Sequence, residues 1–261
     1  MKILTLLSDF GIKSSYVAQM KSVALNITDA KIVDITHNIS PHNIFEGAFI
    51  LKTTIPSFPN GTVHVAVVDP GVGTNRRGIV IAAKTQILVG PDNGLLIPAA
   101  ETLGTFQVYE IKNEKLMMKN ISNTFHGRDI FIPVAAHILN GVYFNEIGPE
   151  IFDYKKLDLG KSTIKDKTAE GEVLYVDEFG NIVTNIEGSK LRQYLDFKKD
   201  ILIYLDKKQM RVSFVKTYGE QKKNETLATI GSSNLFEISV NQGNAAVKYK
   251  AKIGDKIKIL Y

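Results

Sequence analysis

The sequence predicts an α/β protein: an N-terminal domain with a mostly parallel sheet flanked by helices, followed by a smaller C-terminal all-β, barrel-like domain. Strand and helix patterns alternate over residues 1–153, which is typical of βαβ units. Residues 170–261 instead carry many short apolar strands with Gly and Asn between them, which favours a small barrel or sandwich. The polar, lysine-rich stretch between them, residues 154–169, is predicted to be a linker.

The elements of the first domain follow from hydrophobic periodicity. Apolar runs predict strands at KILTLLS, KIVDITH, GTVHVAVVD, GIVIAAK and QILVG. Runs with helical spacing predict helices at YVAQMKSVALNI, IFEGAFILKTTI and FIPVAAHILN. In such a sheet, ligands bind beyond the carboxyl ends of the strands. Polar residues follow the first three strands at that edge, namely Asp9, His37 and Asp69.

The second domain is predicted to consist of strands throughout. The runs are GEVLYVDEFGNIVTNI, DILIYLD, QMRVSFV, LATIGSS, LFEISVN, AAVKYK and DKIKILY. Their short length and the turn residues between them are the pattern expected of a small barrel.

Composition excludes several classes of protein. Hydrophobic residues make up 44% of the chain, and no run approaches the ~20 apolar residues of a membrane span. The net charge is +5, but the lysines are scattered, as on a solvated surface rather than in a nucleic-acid patch. Cysteine is absent, which excludes a disulfide framework. The opening MKILTLLSDFG has a brief apolar run followed by an acid, which favours the first strand of a cytoplasmic protein over a signal peptide.

Several polar motifs have ordinary structural explanations when each is considered alone. Asp9 in SDFG lies between a strand and a helix, where a helix cap is common. In VVDPGVGTNRR, an ion pair at a turn accounts for Asp69, and the glycine spacing fits neither a P-loop nor a dinucleotide fingerprint. The PDNG sequence at residues 91–94 is typical of a hairpin turn. His126 in TFHGRD, taken alone, is more often structural than catalytic.

A metal-dependent hydrolase is one class that these residues leave open. It would use His37, His126, Asp69 and Asp129. Their positions lack a recognisable ligand spacing such as H-E-x-x-H, so we expect no metal site.

The order of the motifs is more informative than any one of them. SDFG, DITH, VVDPGVGTxRR, PDNGLL, TFHGRDIFIPVAA, DxFGNIVTN and GSSxxxEISVNxGxAA follow one another along nearly the whole chain. In this order they resemble the S-adenosyl-L-methionine (SAM) hydroxide adenosyltransferases, which are adenosine-forming SAM hydrolases related to the SAM-dependent fluorinase and chlorinase. DPGVGTNRR and TFHGRDIF are the most specific parts of the resemblance.

The resemblance implies hydrolysis of SAM to adenosine and L-methionine without a cofactor, since SAM is the substrate. It places Asp69, Arg76 and His126 around a water molecule that attacks the ribose 5′ carbon. These residue types suit the chemistry, because water needs an acceptor for its proton and a guanidinium stabilises hydroxide-like charge. Arg77 is left for a structural or intersubunit ion pair.

The resemblance also implies the substrate-binding residues. Asp9 would take the ribose hydroxyls, Asn181 the adenine edge, and Glu237 the methionine ammonium. Phe179 and Tyr218 would stack on the base. The full set implied for binding adenosine and SAM is Asp9, Tyr16, Phe179, Asn181, Tyr218, Ser232, Ser233, Glu237 and Val240.

The resemblance finally implies a homotrimer in which each active site lies between the N-terminal domain of one subunit and the C-terminal domain of its neighbour. It implies no nucleic-acid or membrane partner and a cytoplasmic location. Two other functions stay open at this point. A SAM-dependent halogenase would place halide where the water lies, although halogenases lack the full Asp–Arg–His set. A SAM- or adenosine-binding module would hold the ligand without turnover.

Overall fold

The computed structural model describes residues 1–261, and the chain divides into two units, residues 1–158 and 159–261. The division falls inside the stretch 154–169 that the sequence predicts as a linker. That stretch also contains a strand at Thr163–Lys165 and the first residues of another at Thr168–Val176. The second unit therefore begins earlier than residue 170, because antiparallel pairing between these two strands starts within the polar segment.

A six-stranded sheet forms the frame of the first unit. Its strands are β1 (Ile3–Ser8), β2 (Lys31–Thr36), β3 (Val63–Val67), β4 (Gly78–Ala83), β5 (Ile87–Pro91) and β6 (Phe106–Glu110). Their order across the sheet is β2-β1-β3-β5-β4-β6. The pairs β1–β2, β1–β3 and β3–β5 are parallel, whereas β4 pairs antiparallel with both β5 and β6. The mostly parallel sheet predicted from the sequence is therefore confirmed.

Helices cover both faces of this sheet. They are α1 (Tyr16–Ile27), α2 (Ile44–Thr54), α3 (Ile97–Thr102), α4 (Ile132–Leu139) and α5 (Phe144–Ile147). Every residue of β1 is buried, and its side chains alternate between the two faces. Leu6 belongs to a core cluster with Met20 of α1 and Val134 of α4, whereas Leu7 lies against Gly47 of α2. The apolar run of β1 is continuous because neither face of the sheet meets water.

The second unit is a closed β-barrel, as predicted, with one extra strand. Its strands are β7 (Thr163–Lys165), β8 (Thr168–Val176), β9 (Ile182–Glu187), β10 (Lys199–Leu205), β11 (Lys208–Phe214), β12 (Thr226–Ile230), β13 (Leu235–Val240) and β14 (Lys256–Leu260). Seven of them close a ring in the order β14-β10-β11-β12-β13-β9-β8, with β14 pairing back onto β8 and β7 outside the ring. Two short helices, α6 (Gly188–Leu191) and α7 (Ala245–Tyr249), complete the unit. No helix of the structure has both the length and the apolar character needed to span a bilayer.

Two local predictions are wrong. The segment AAVKYK, predicted as a strand, forms α7, because the Asn244 side chain accepts a hydrogen bond from the Val247 N–H at 2.7 Å and so caps a helix. The turn at residues 91–94, predicted as a hairpin, instead leads from β5 into α3. The hairpin between β4 and β5 is made at residues 84–86, where the Ala83 N–H donates to the Gln86 carbonyl at 3.1 Å.

Candidate active site

Asp69, Arg76 and His126 meet beyond the carboxyl end of β3, and we refer to them as the Asp–Arg–His cluster. The Arg76 guanidinium donates two hydrogen bonds to the Asp69 carboxylate, from Nε to Oδ1 at 3.1 Å and from Nη2 to Oδ2. The same Nη2 lies 3.1 Å from Nδ1 of His126. The side chains of Asp69 and Arg76 are 6% and 7% exposed, so the ion pair is held away from bulk water. The structure thus brings together the three residues that the sequence predicts to be catalytic.

The loop that leads to Arg76 is shaped by its small residues. Thr74 donates from Oγ1 to the Gly71 carbonyl at 2.7 Å and accepts from the Arg76 N–H at 3.3 Å. Gly73 has a φ of +75°, and a Cβ at this position would lie 2.3 Å from the Asn123 carbonyl oxygen. Only glycine suits both this backbone conformation and this close approach. The tight loop returns the chain toward the end of β3, where the guanidinium finds its carboxylate.

His126 is held by the turn that follows it. Residues Gly127–Phe131 form a π-helical turn before α4, a feature often found at functional sites. In this turn the buried Asp129 carboxylate accepts hydrogen bonds from Arg128 Nε at 2.6 Å and from the Ser122 N–H at 2.8 Å. One carboxylate therefore fixes the chain on both sides of the imidazole.

The surroundings of His126 determine its charge and its tautomer. Burial lowers the pKa of the imidazole below 6.5 and the Arg76 cation lowers it further, whereas the Asp69 and Asp129 carboxylates act in the opposite direction. The ring is therefore neutral at pH 7. Since an arginine can only donate hydrogen bonds, Nδ1 accepts from Arg76, and the ring proton is assigned to Nε2 from this pattern.

Arg77 belongs to a separate network. Its Nε and Nη2 donate to Asp92 Oδ2 at 3.0 and 2.7 Å, and its Nη1 donates to Asp153 Oδ1 at 2.8 Å. Asp92 is buried, whereas the side chain of Asp153 is exposed. The two adjacent arginines thus have different partners, and the ion pairs of Arg77 form within the first unit.

Asp9 and Tyr16 flank the loop between β1 and α1. Asp9 accepts a hydrogen bond from the His42 N–H at 2.9 Å. Tyr16 is 48% exposed, and its ring packs edge-on against Phe10 and Phe125, with centroids 5.8 and 5.2 Å away. Phe125 directly precedes the histidine of the Asp–Arg–His cluster, so this packing links Tyr16 to that segment. No hydrogen bond joins Asp9 or Tyr16 to the cluster itself.

The second unit contains a cavity of about 830 Å³ lined by six of the seven residues predicted for this unit. The six are Phe179, Asn181, Tyr218, Ser232, Glu237 and Val240. Ser233 is not among the lining residues. The Phe179 side chain is 79% exposed, which leaves its ring available to a ligand.

Glu237 places a buried negative charge at this cavity. The residue is 6% exposed, and its Oε1 accepts hydrogen bonds from the Tyr218 hydroxyl at 2.8 Å and the Ser239 hydroxyl at 2.6 Å. Burial and the neighbouring Glu237 raise the pKa of Tyr218 to about 12, so its hydroxyl remains a donor. Both partners are neutral hydroxyls, and the carboxylate forms no ion pair within the chain, so it is suited to a cation.

Asp177 is a cavity residue that the sequence interpretation missed. Its Oδ1 accepts from the N–H groups of Phe179 and Asn181 at 3.0 and 2.8 Å, and its Oδ2 accepts from Asn181 Nδ2 at 2.9 Å. Gly180 between them has a φ of +80°. The signal was present as an acid two residues before an aromatic and four before an amide, with glycine in the turn. Lys216, Thr217 and Gln242 also line the cavity, and no local pattern singles them out.

The residues of the metal-hydrolase alternative have other partners. His37 Nδ1 lies 2.7 Å from Ser8 Oγ, and its Nε2 lies 3.1 Å from Asp34 Oδ1. The two carboxylates of that alternative, Asp69 and Asp129, each bind an arginine. No group of three or more His, Asp or Glu side chains in the structure is arranged to hold a metal ion.

Fold and site together define a two-unit protein in which an α/β unit carries a hydrogen-bonded Asp–Arg–His cluster and a β-barrel unit carries a cavity lined by a buried carboxylate. Residues 4–148 match the N-terminal domain of the SAM hydroxide adenosyltransferases. Residues 171–258 match the C-terminal domain of the same proteins. The chain therefore belongs to the SAM hydroxide adenosyltransferase family, and the resemblance noted from its motifs is confirmed.

Individual relatives agree with this membership. The chain is 40% identical to an (R)-S-adenosyl-L-methionine hydrolase from Methanocaldococcus jannaschii, over 99% of this chain and 96% of the relative. It is 26% identical to a fluorinase from an Actinoplanes species, over 97% of this chain and 95% of the fluorinase. The crystal structure of an uncharacterized conserved protein from Thermotoga maritima matches with a TM-score of 0.94 at 37% identity, covering 100% of both chains. The chain is thus more similar to the hydrolase than to the fluorinase.

The geometry of the cluster predicts how His126 titrates. By NMR, its pKa should lie below 6.5, with the neutral ring protonated at Nε2, because burial and the Arg76 cation disfavour the charged form. Arg76→Ala should raise this pKa and Asp69→Asn should lower it, since each variant removes one charge of known sign. His137, whose pKa is lowered by burial alone, is the internal control and should not respond. Equal responses of the two histidines would contradict the assignment.

Proposed function

We propose that the protein hydrolyses (R)-S-adenosyl-L-methionine to adenosine and L-methionine, in the cytoplasm and without a cofactor. The observation that carries this proposal is the Asp–Arg–His cluster, whose three side chains are hydrogen-bonded in a chain 40% identical to a named SAM hydrolase. The R configuration at sulfur follows the name of that relative.

The proposed reaction is a displacement at carbon. The water oxygen forms a bond to C5′ of the ribose as the bond from C5′ to sulfur breaks. The electron pair of the broken bond goes to sulfur, which leaves as the neutral thioether of methionine, and one proton of the water is released. Because the sulfonium already carries a positive charge, the leaving group needs little acid assistance. The protein must mainly align the water and accept its proton.

The cluster supports a distinct role for each of its members. Asp69 is the acceptor for the proton of the water. His126 is assigned its proton on Nε2, and this N–H suits a donor that orients the water oxygen. Arg76 holds the carboxylate with two hydrogen bonds and supplies positive charge where hydroxide-like charge develops.

The cavity of the second unit supports binding of the rest of the substrate. The uncompensated carboxylate of Glu237 suits the methionine ammonium. The exposed ring of Phe179 and the ring of Tyr218 suit the face of adenine, and Asn181 suits its polar edge. In the first unit, Asp9 is proposed to accept from the ribose hydroxyls.

Product analysis in water enriched in heavy oxygen tests the reaction. The label should appear in the 5′-hydroxyl of adenosine and not in methionine, because the new bond joins the water oxygen to C5′. The R epimer at sulfur should be consumed faster than the S epimer. Added chloride or fluoride should leave adenosine as the product. Methylthioadenosine, label in methionine, or a 5′-halogenated adenosine would refute the proposal.

Two neighbouring arginines provide a matched pair of variants. Arg76→Ala should lower kcat about a hundred- to thousand-fold with a smaller change in KM, as about 2.7–4 kcal/mol is lost when one stabilising donor is removed from an oxyanion site. Arg77→Ala should act mainly on stability and lower kcat much less than Arg76→Ala, because its partners are Asp92 and Asp153 and its effect on the cluster is indirect. Arg76→Lys should recover only part of the activity, since an ammonium lacks the planar fork. Loss of turnover in folded Arg77→Ala with full activity in Arg76→Ala would show that the wrong arginine was chosen.

We further propose that the protein is a homotrimer with active sites shared between subunits. Each unit of the chain carries only part of the required groups: the Asp–Arg–His cluster belongs to the first unit and the cavity with Glu237 to the second. A cyclic assembly that joins the first unit of one subunit to the second unit of the next would complete every site.

Mixed assemblies test the shared site. Arg76→Ala and Glu237→Ala are each expected to be inactive alone. Co-expressed, they should regain activity, because about one quarter of the interfaces in a random trimer pair an intact first unit with an intact second unit. If each site lay within one subunit, no mixture would contain an intact site. Light scattering should give the mass of a trimer, and an active monomer or a mixture without recovery would refute the proposal.

A further inference from the structure

The turn at residues 91–94, which we refer to as the PDNG turn, contacts the chain beside both members of the Asp69–Arg76 pair. Its first residue, Pro91, ends β5, and the turn leads into α3. Its two polar side chains, Asp92 and Asn93, have partners on different segments of the first unit.

Asn93 holds the residue that precedes Asp69. Its Nδ2 donates to the Val68 carbonyl at 2.8 Å, and its Oδ1 accepts from the Leu95 N–H at 3.1 Å. Both ends of the amide are therefore engaged, so the side chain has one orientation. The carbonyl group of Val68, one peptide away from the carboxylate that would accept the proton of the water, is fixed to the turn.

Asp92 holds the residue that follows Arg76. Its Oδ2 accepts both the Nε and the Nη2 hydrogen bonds of Arg77, and its Oδ1 accepts from the Lys155 N–H at 2.8 Å. Its own N–H donates to the Arg77 carbonyl at 2.9 Å. Asp92 is 2% exposed, so these bonds form in a buried setting where they are strong. Arg77 is thus held by its backbone as well as its side chain.

The PDNG turn has little room to move. Gly94 has a φ of +96°, and a Cβ there would lie 2.9 Å from Leu157 Cβ. Gly90, just before the turn, would place a Cβ 2.3 Å from the Ala66 carbonyl oxygen on β3. The backbone just before the turn therefore lies directly against β3, which leads to Asp69, and the turn itself is confined by the segment at Leu157. Asp69 and Arg76 themselves lie outside the strands, so their alignment depends on contacts of their loops, including those with the PDNG turn.

We propose that Asp92 and Asn93 are positioning residues, which hold the chain neighbours of Asp69 and Arg76 and so keep the ion pair in its reactive alignment. Neither side chain forms a hydrogen bond with the Asp–Arg–His cluster; each acts through the residue next to a cluster member. The inference rests on the proposed function, because alignment matters only if the cluster reacts.

The test uses Asn93→Asp, which retains an acceptor and removes the amide donor. Asn113 in the same unit provides a matched control, because its Nδ2 donates to the Glu146 carbonyl at 2.8 Å and its Oδ1 accepts from the Lys115 N–H at 3.1 Å. Asn113→Asp therefore removes the same kind of bond at the same lengths, away from the cluster. Both full-length variants are compared with the parent protein for kcat, KM, thermal stability and the NMR titration of His126.

Asn93→Asp should lower kcat about ten- to hundred-fold, the range expected when a reacting group is misplaced, with a smaller change in KM. The titration of His126 should also shift, because the Arg76 guanidinium moves relative to the imidazole. Asn113→Asp should change neither. The same kcat loss in both variants, or parent-like kcat and titration in Asn93→Asp, would overturn the proposal. The titration needs no substrate, so it decides the positioning role even if the parent protein fails to hydrolyse SAM.

Should Asn93→Asp not fold, Asp92→Asn provides the second test with the same measurements. Its control is Asp153→Asn, which removes the exposed carboxylate partner of Arg77 and leaves the turn intact. Asp92→Asn should lower kcat and shift the titration of His126, and Asp153→Asn should not. If neither variant of the turn folds, the turn is a determinant of folding and the positioning proposal is wrong.

Discussion

The buried ion pair between the Asp69 carboxylate and the Arg76 guanidinium holds the loops beyond the carboxyl end of β3 in one arrangement. Removing two charges from water costs several kcal/mol per ion, so such a pair persists only with good geometry and further contacts. Asp69 and Arg76 meet that requirement through two hydrogen bonds, and the Phe131 ring lies 5.2 Å from the guanidinium carbon. If either partner is removed, the other charge is left buried. The glycine-containing loop, the π-helical turn and the PDNG turn each hold a residue of the Asp–Arg–His cluster or its neighbour in the chain.

The ionisable groups of the two units have different surroundings. In the first, the protonation of His126 depends on burial and on three neighbouring charges, so it responds to small changes in the cluster. In the second, Tyr218 keeps its proton well above neutral pH, and Glu237 is held by neutral hydroxyls. For the function proposed here, a group whose protonation is easily tuned suits the reacting centre, and a fixed charge suits the part that would bind a cation.

Periodicity predicted the fold well where burial alone decides the structure. The apolar run of β1 correctly indicated a strand covered on both faces. It failed at residues 245–249, where Asn244 offers a helix cap that outweighs a strand-like pattern. The turn residues of the PDNG sequence also gave a wrong prediction, because a local hairpin signal contains no information about the distant partners of Asp92 and Asn93.

Predicting the residues of the candidate site required more than the local sequence pattern. No feature near the two arginines distinguishes them, because their carboxylate partners lie 7 and 15 positions away along the chain. The order of the motifs selected Arg76, and the structure places it against Asp69 and His126. The spacing around Asp177 was visible in the sequence, but its hydrogen bonds to the N–H groups of Phe179 and Asn181 follow only from the folded loop.

The closed ring of the second unit affects how the chain meets other chains at high concentration. Unpaired backbone groups at the rim of a sheet can recruit foreign strands and start aggregation. The ring has no such rim, and only the three-residue β7 presents a free side. In the open sheet of the first unit, β6 is shielded by a bridge between Tyr109 and Glu150, and the other edge strand, β2, carries the charged residues Lys31 and Asp34. A protein built this way offers few starting points for fibrous growth by strand addition.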